Sequence, residues 1–246
     1  MLSALIQKLD LFGPLSDEAR NRLRKLPARL LSFAPHDDIV REKEPRGDVR
    51  VICEGIAART KSLDGGDRQA VLGFVLPGEV DESDPLADAL DHGIVALSPV
   101  KVALLARQPF DQLLLEFPDL ARAFRRMARL NEGITRMWLA NMGQRAADRQ
   151  TAHLLCEMQV RLCAVGMGGA DWFTNPLTQE QFANVLGISA VHMNRVMQHL
   201  RELGLIRIEN HTLRFPSLAR IHEYAGFDPA YLVTDARVRA HEQAAE

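Results

Sequence analysis

The sequence has no long hydrophobic run: no stretch of about eighteen apolar residues occurs, the minimum for a membrane-spanning helix. Its opening, Met-Leu-Ser-Ala-Leu-Ile-Gln-Lys, also lacks the charged-then-apolar pattern of a secretion signal. The expectation is a soluble, cytoplasmic protein. Strong charge of either sign is missing too, with a formal net charge of −2. That balance excludes a uniformly basic nucleic-acid binder, but a locally basic docking face remains open. Cysteine is scarce. Cys53, Cys156 and Cys163 include no C-x-x-C pair, and three thiolates are too few for a four-cysteine cluster. An odd, sparse count suits a reducing compartment. On a helix Cys156 and Cys163 would share a face about 10 Å apart, too far to bridge, so all three read as buried structural thiols. A metal-dependent barrel would need clustered ligands, yet the β-prone region holds only His36 and His92, with no His-x-His pair.

With 246 residues the chain can form one large domain or two ordinary ones. The most informative stretch runs from Leu177 to Phe215. Thr178 is placed to cap a helix, and Gln181 three residues on completes a capping box. Phe182, Val185 and Leu186 form a short apolar face, and Gly187 supplies a left-handed turn. Ser189 then caps a second helix with Met193, Val196, Met197 and Leu200 at helical spacing. Two capped helices around a glycine turn predict a helix-turn-helix. Gly204 closes the second helix. Leu205–Ile208, a Glu209–His211 turn and Thr212–Phe215 follow as a two-stranded wing.

Upstream, a helix over Leu2–Leu9 and another capped by Ser16 precede a change of texture. From Leu30 to Leu105, β-prone runs alternate with turn residues about every eight to twelve positions, the rhythm of an antiparallel barrel or jelly roll. The runs are Arg29–Phe33, Ile39–Arg41, Val49–Cys53, Ile56–Ser62, Ala70–Val75, Gly93–Ala96 and Val100–Leu105. Asp64-Gly65-Gly66-Asp67 reads as a hairpin turn. Beyond Pro118, the positions Leu120, Phe124, Met127, Asn131, Ile134, Trp138 and Asn141 alternate four and three apart. Such a heptad seam packs either on the chain's own sheet or on a second copy. Its reach of roughly 30 Å and the polar Asn131, which would set register, favour dimerisation through Leu120, Phe124, Met127, Asn131, Ile134 and Trp138. Arg122, Arg125, Arg126 and Arg129 lie off the seam, on a solvated face or paired with acids of the β-region. Gly143 is expected to interrupt the helix. A further helix from Gln144 to about Val165 would bury Ala147, Thr151, Leu154, Leu155, Met158 and Leu162, and Trp172-Phe173 reads as a short strand.

The fold class is therefore α+β: an N-terminal antiparallel β-roll, a long dimerisation helix and a C-terminal winged helix-turn-helix. The expected divisions are residues 1–108 for the roll as a sensor, 109–142 for the dimer helix, 143–232 for the DNA-binding part and 233–246 for a flexible tail.

This order of parts resembles the Crp/Fnr family of bacterial transcription regulators over nearly the whole chain. The residues that carry the resemblance are Leu177-Thr178-Gln179-Glu180, Leu186-Gly187-Ile188-Ser189 and Val191-His192-Met193-Asn194-Arg195-Val196. Gly73–Glu79 is similar to the family's β-roll corner, and Gln144-Arg145 to Leu155 to the first helix of its DNA-binding domain. The resemblance implies a homodimer on a two-fold related operator, double-stranded DNA as partner, and contact with RNA polymerase. A second helix in the major groove would aim its first residues at base edges. Arg195 can pair bidentately with guanine, His192 and Ser189 can donate to bases or phosphates, and Val191 can touch a thymine methyl. Asn194 belongs to the same face, and Thr178 and Gln179 are placed for phosphate. Several relatives of that family carry an Arg-Glu pair after the turn serine where this chain has Ala190-Val191, so its operator should differ from theirs.

Cyclic-nucleotide binders of the family use a Gly-Glu step and a downstream Arg-Ser or Arg-Thr. Here Asp81 replaces the glycine before Glu82, and His92-Gly93 stands in place of the cationic pair, a poor anion site. Glu82 and His92 remain the only effector candidates, cyclic AMP in the usual mode is not expected, and no cofactor or metal is implied. The cysteine cluster of oxygen-sensing relatives is missing. The reading is a regulator without enzymatic activity; the alternatives are a regulator responsive to a cyclic nucleotide or other small ligand, and a ligand-binding or metal-dependent β-barrel enzyme.

Overall fold

The computed structural model describes residues 2–45, 47–64, 68–81 and 89–232. Gly65, Gly66 and Asp67 of the expected Asp64–Asp67 turn, the effector candidate Glu82 and the tail 233–246 lie outside the described residues. Within those described, contacts divide the chain into two compact units, Met1–Arg59 with Phe74–Glu132, and Thr60–Gly73 with Gly133–Leu232.

Eight strands follow the β-prone runs closely: β1 (Ala28–Phe33), β2 (Asp38–Val40), β3 (Val49–Glu54), β4 (Ala57–Leu63), β5 (Arg68–Val75), β6 (Val80–Asp81), β7 (Gly93–Ala96) and β8 (Val100–Leu105). They form two four-stranded sheets, ordered β1-β8-β3-β6 and β2-β7-β4-β5. The period-two alternation of β8 decides what each face covers. Val100 and Val102 join Ile39, Val40, Ile52, Ala57, Val75, Ile94 and Ala96 in an apolar core drawn from both sheets. Ala103 and Leu105 point the other way, into a second core with helices.

That second core explains the N-terminal helices. Helix α1 (Ser3–Asp10) and α2 (Asp17–Arg24), the latter capped by Ser16 as its spacing predicts, contribute Leu5, Ile6, Leu9, Ala19 and Leu23. Buried Lys8 of α1 pairs with the fully buried Glu79, whose other oxygen accepts the Leu76 N–H at 3.2 Å. Helix α3 (Arg107–Glu116) and the first turns of α4 (Pro118–Gln144) close the core through Phe110, Leu113, Leu120, Ala123, Phe124 and Met127. Pro118 opens α4 at its first position, where a missing N–H costs nothing. Gly143 does not interrupt the helix: α4 continues through it to Gln144, and the break falls at Arg145-Ala146 before α5 (Ala147–Cys163). One glycine's propensity cost, about 1 kcal/mol, is too small to stop a 27-residue helix one residue from its end.

In the second unit α5 is the central element, buried along almost its whole length. It packs on β9 (Trp172–Thr174), α6 (Gln179–Leu186), α7 (Ala190–Glu202), α8 (Leu218–Ala225) and a 3-10 turn, Pro229–Leu232. The inward residues Thr151, Leu154, Leu155, Met158 and Leu162 are buried as expected, whereas Ala147 is only half-buried. Of the cysteines only Cys156 is buried, its thiol pushed well above the usual range by desolvation; Cys53 and Cys163 are half-buried.

Candidate DNA-binding face

Local chemistry builds α6 and α7 as the sequence predicts. The Thr178 hydroxyl accepts the Gln181 N–H at 3.2 Å, and the Gln181 side chain accepts the Thr178 N–H at 2.9 Å. Gly187 ends α6 at φ 66°, a left-handed conformation that a Cβ disfavours. Ser189 caps α7 by accepting the His192 N–H at 3.2 Å. Met193, Val196, Met197 and Leu200 are buried, which leaves the opposite face of α7 in solvent.

That face carries Val191, 65% exposed, with His192, Asn194 and Arg195 also exposed. Arg195 has no hydrogen-bond or ion-pair partner among the described residues, so its five donors remain free for a ligand. Asn194 is differently placed. Its amide donates to Gln179 Oε1 at 2.9 Å, so this residue ties α7 to the first turn of α6. Thr178 and Ser189 are exposed and act first as caps, each retaining a hydroxyl hydrogen to donate.

The wing differs from its sequence reading in the length of its turn. Strands β10 (Arg207–Glu209) and β11 (Thr212–Arg214) are joined by Asn210 and His211, both at positive φ (47° and 60°), a two-residue turn of the tight hairpin class. Trp172-Phe173 forms the expected short strand, and this strand, β9, is not isolated: it pairs with β11, making three strands in the order β10-β11-β9. The shorter turn shifts the register, so that Arg207 lies directly opposite Arg214. Both are exposed, and like charges in opposed positions disfavour the pair. Arg214 is partly compensated by the Trp172 ring, whose centroid lies 5.6 Å from its guanidinium. Two opposed arginines on a hairpin suit a polyanion, and sequence reasoning missed them because a three-residue turn puts them out of register.

The heptad positions of α4 are already covered by their own chain. Leu120 (0% exposed), Phe124 (2%) and Met127 (2%) lie in the core with α1 and α3, while Ile134 (5%) and Trp138 (7%) are buried in the second unit. Asn131 is half-buried. The next stripe round the helix is the exposed one: Arg125, Ala128, Glu132, Thr135, Leu139 and Met142, with Leu139 67% and Met142 53% in solvent. It too alternates three and four apart, and the outward carboxylates and arginines masked its pattern. None of Arg122, Arg125, Arg126 and Arg129 pairs with an acid among the described residues; Arg126 donates instead to the Phe12 carbonyl. Their four contacts at i,i+3 and i,i+4 are each unfavourable by about 0.2–0.5 kcal/mol.

Below the helix-turn-helix, the fully buried Glu157 of α5 gathers Trp138 Nε1 (3.1 and 3.2 Å), Arg161 Nη1 (2.7 Å) and the Tyr231 hydroxyl (2.9 Å). His153, one turn earlier, accepts from Asn141 Nδ2 at 3.0 Å and stacks on Tyr231. Burial, with a contribution from Arg145, lowers the His153 pKa to about 4. Arg145, at the break after α4, donates to the Ala225 and Gly226 carbonyls that end α8. In the roll, His92 is held by the Asp91 carboxylate at 2.7 Å. Among the described residues, no group of three or more His, Cys, Asp or Glu is placed to hold a metal ion, and no helix is long and apolar enough to cross a membrane.

Residues 149–224 match the model of a Crp-like helix-turn-helix domain. The chain is 26% identical over 185 residues to the transcriptional activator protein FnrL of Cereibacter sphaeroides, covering 73% of each. It is 26% identical over 197 residues to the nitrogen fixation regulation protein FixK of Bradyrhizobium diazoefficiens, covering 80% of this chain and 82% of that one. Among solved structures it resembles FixK2 of Bradyrhizobium japonicum, with a TM-score of 0.71 at 20% identity over 82% of this chain and 100% of that chain. A mutant CooA of Carboxydothermus hydrogenoformans has a TM-score of 0.65 at 15% identity, over 86% of this chain and 98% of that one. At these identities the two structures attest the fold.

Proposed function

The chain belongs to the Crp/Fnr family of DNA-binding transcriptional regulators, acting through its helix-turn-helix, and from that premise we propose that it works as a homodimer on a palindromic operator. The observation that carries the reading is the exposed face of α7, where Arg195 stands without a partner beside His192 and Val191. Arg195 reads guanine bidentately, His192 donates to a base or phosphate, and Val191 meets a thymine methyl. Thr178, Gln179 and Ser189 serve phosphate contacts, as do Arg207 and Arg214 of the wing. Asn194 positions Gln179 through their mutual hydrogen bond rather than reading a base itself.

Two copies would meet along α4. Leu139 and Met142, with Ala128 and Thr135 in the same stripe, offer the uncovered surface, while Leu120, Phe124, Met127, Ile134 and Trp138 brace the helix from its own side. Residues 1–108 would serve as sensor, 109–142 as dimer helix and 143–232 as the DNA-binding part, in the cytoplasm, with RNA polymerase as the further partner. Cyclic AMP in the family's usual mode does not fit, since the Asp91–His92 pair sets a carboxylate where a phosphate would need a cation.

Selection of bound sequences from a random pool tests this reading. It should return an inverted repeat with half-site centres about 10 base pairs, or a multiple of that, apart. Recovery of only asymmetric or non-specific sequences at every salt concentration would sink it. Calorimetry with cyclic AMP and cyclic GMP tests the effector statement, which a tight, stoichiometric isotherm would overturn.

A further inference from the structure

In the first unit, the turn between α1 and α2 and the opening turns of α4 enclose a cleft of about 370 Å³, a size typical of small-molecule sites. Phe12 (3% exposed), Ala123 (2%) and Pro14 supply its apolar surface, and Asp119, Arg122 and Arg126 its charges. The oxygens of Asp119 are already engaged, one by the Ser16 N–H at 2.7 Å and the other by the Leu120 N–H at 2.9 Å. Arg126 is fixed in place: its Nη1 donates to the Phe12 carbonyl and passes beside Gly13, where a Cβ would stand 3.3 Å away. A guanidinium so anchored by one of its five donors is preorganised to offer the others. Arg122 has no partner among the described residues, and with Arg125 and Arg129 it belongs to a run of mutually repelling cations, none of them ion-paired with a carboxylate among the described residues.

We propose that this cleft binds a small organic anion, its carboxylate held by Arg122 and Arg126 and its apolar body seated on Phe12, Pro14 and Ala123. The planar guanidinium fork matches a carboxylate. With Asp119 in the lining, the cleft's net charge is one positive, which suits a singly charged carboxylate better than a phosphate ester. The site is distinct from the interior of the roll, which apolar side chains fill.

The test uses the full chain with benzoate and naphthalene-2-carboxylate as probes and benzamide as the uncharged control. Calorimetry and thermal melting should show the two carboxylates binding at millimolar concentration or below, and benzamide not binding. Arg122→Ala, at an exposed position, should melt no lower than the parent without ligand and lose carboxylate affinity at least about tenfold, the loss of one charge-assisted contact. Absence of binding by both carboxylates, or equal binding by Arg122→Ala, overturns the proposal. The readout is ligand binding alone, so neither outcome bears on operator recognition.

Discussion

Replacing Glu157 by glutamine probes a heavily committed side chain in the second unit. Its carboxylate is fully buried and accepts from Trp138, Arg161 and Tyr231. Glutamine keeps the shape and one acceptor oxygen but presents an amide NH2 to donors on the other side. Arg161, whose side chain is only 4% exposed, would then lose the charge of its Glu157 partner while staying buried. Breaking a buried ion pair from one side costs about 3–5 kcal/mol, and the retained oxygen places this variant near 3. Typical folding free energies are only about 5–15 kcal/mol, so the loss is large. The double variant Glu157→Gln/Arg161→Met removes the buried charge and fills its volume with an apolar chain. It should recover about 2 kcal/mol, a coupling that a double-mutant cycle isolates. Urea unfolding followed by tryptophan fluorescence is the assay. The chain's two tryptophans, Trp138 and Trp172, both lie in this unit, so the signal reports on it. A loss below about 1 kcal/mol for the single variant, or strict additivity in the double, would refute the assignment of the cluster as a coupled ion pair.

Three further outcomes follow from the geometry. His153 has a folded pKa of about 4, below its ordinary value of 6.5, so the unfolded chain takes up the proton first as pH falls. Its contribution is whole above about pH 6.5 and is lost on the way down to about pH 4, by about 3 kcal/mol; His153→Phe should flatten that part of the stability–pH curve measured by urea titration. Arg195→Ala should relax preference at one base position and keep most salt-dependent binding, whereas Arg214→Ala should weaken all sequences alike and lower the salt slope by about 0.9; binding titrations across salt concentrations separate the two. Leu139→Glu, at an exposed position on α4, should give a folded monomer in sedimentation, and a persistent dimer would exclude this stripe as the interface.

What the sequence by itself determined is what local chemistry controls. Capping residues, turn glycines and short-range periodicity act within a few positions, so Thr178, Gly187 and Ser189 announced the helix-turn-helix and alternation announced most strands of the roll. The three-residue β9 was legible as a strand, but its partner was not, because pairing with β11 depends on a contact about forty residues away in the chain. The tertiary structure alone decided which stripe of α4 is covered. Heptad spacing says that Leu120 and Trp138 share a face, not what that face meets, and here the chain's own cores reach it first. It alone decided the register that sets Arg207 against Arg214, where one residue in the turn changes every cross-strand neighbour. And it alone brought Trp138, Glu157, Arg161 and Tyr231 together, because a buried charge can persist only where distant segments supply its partners, and no local pattern records where those segments meet.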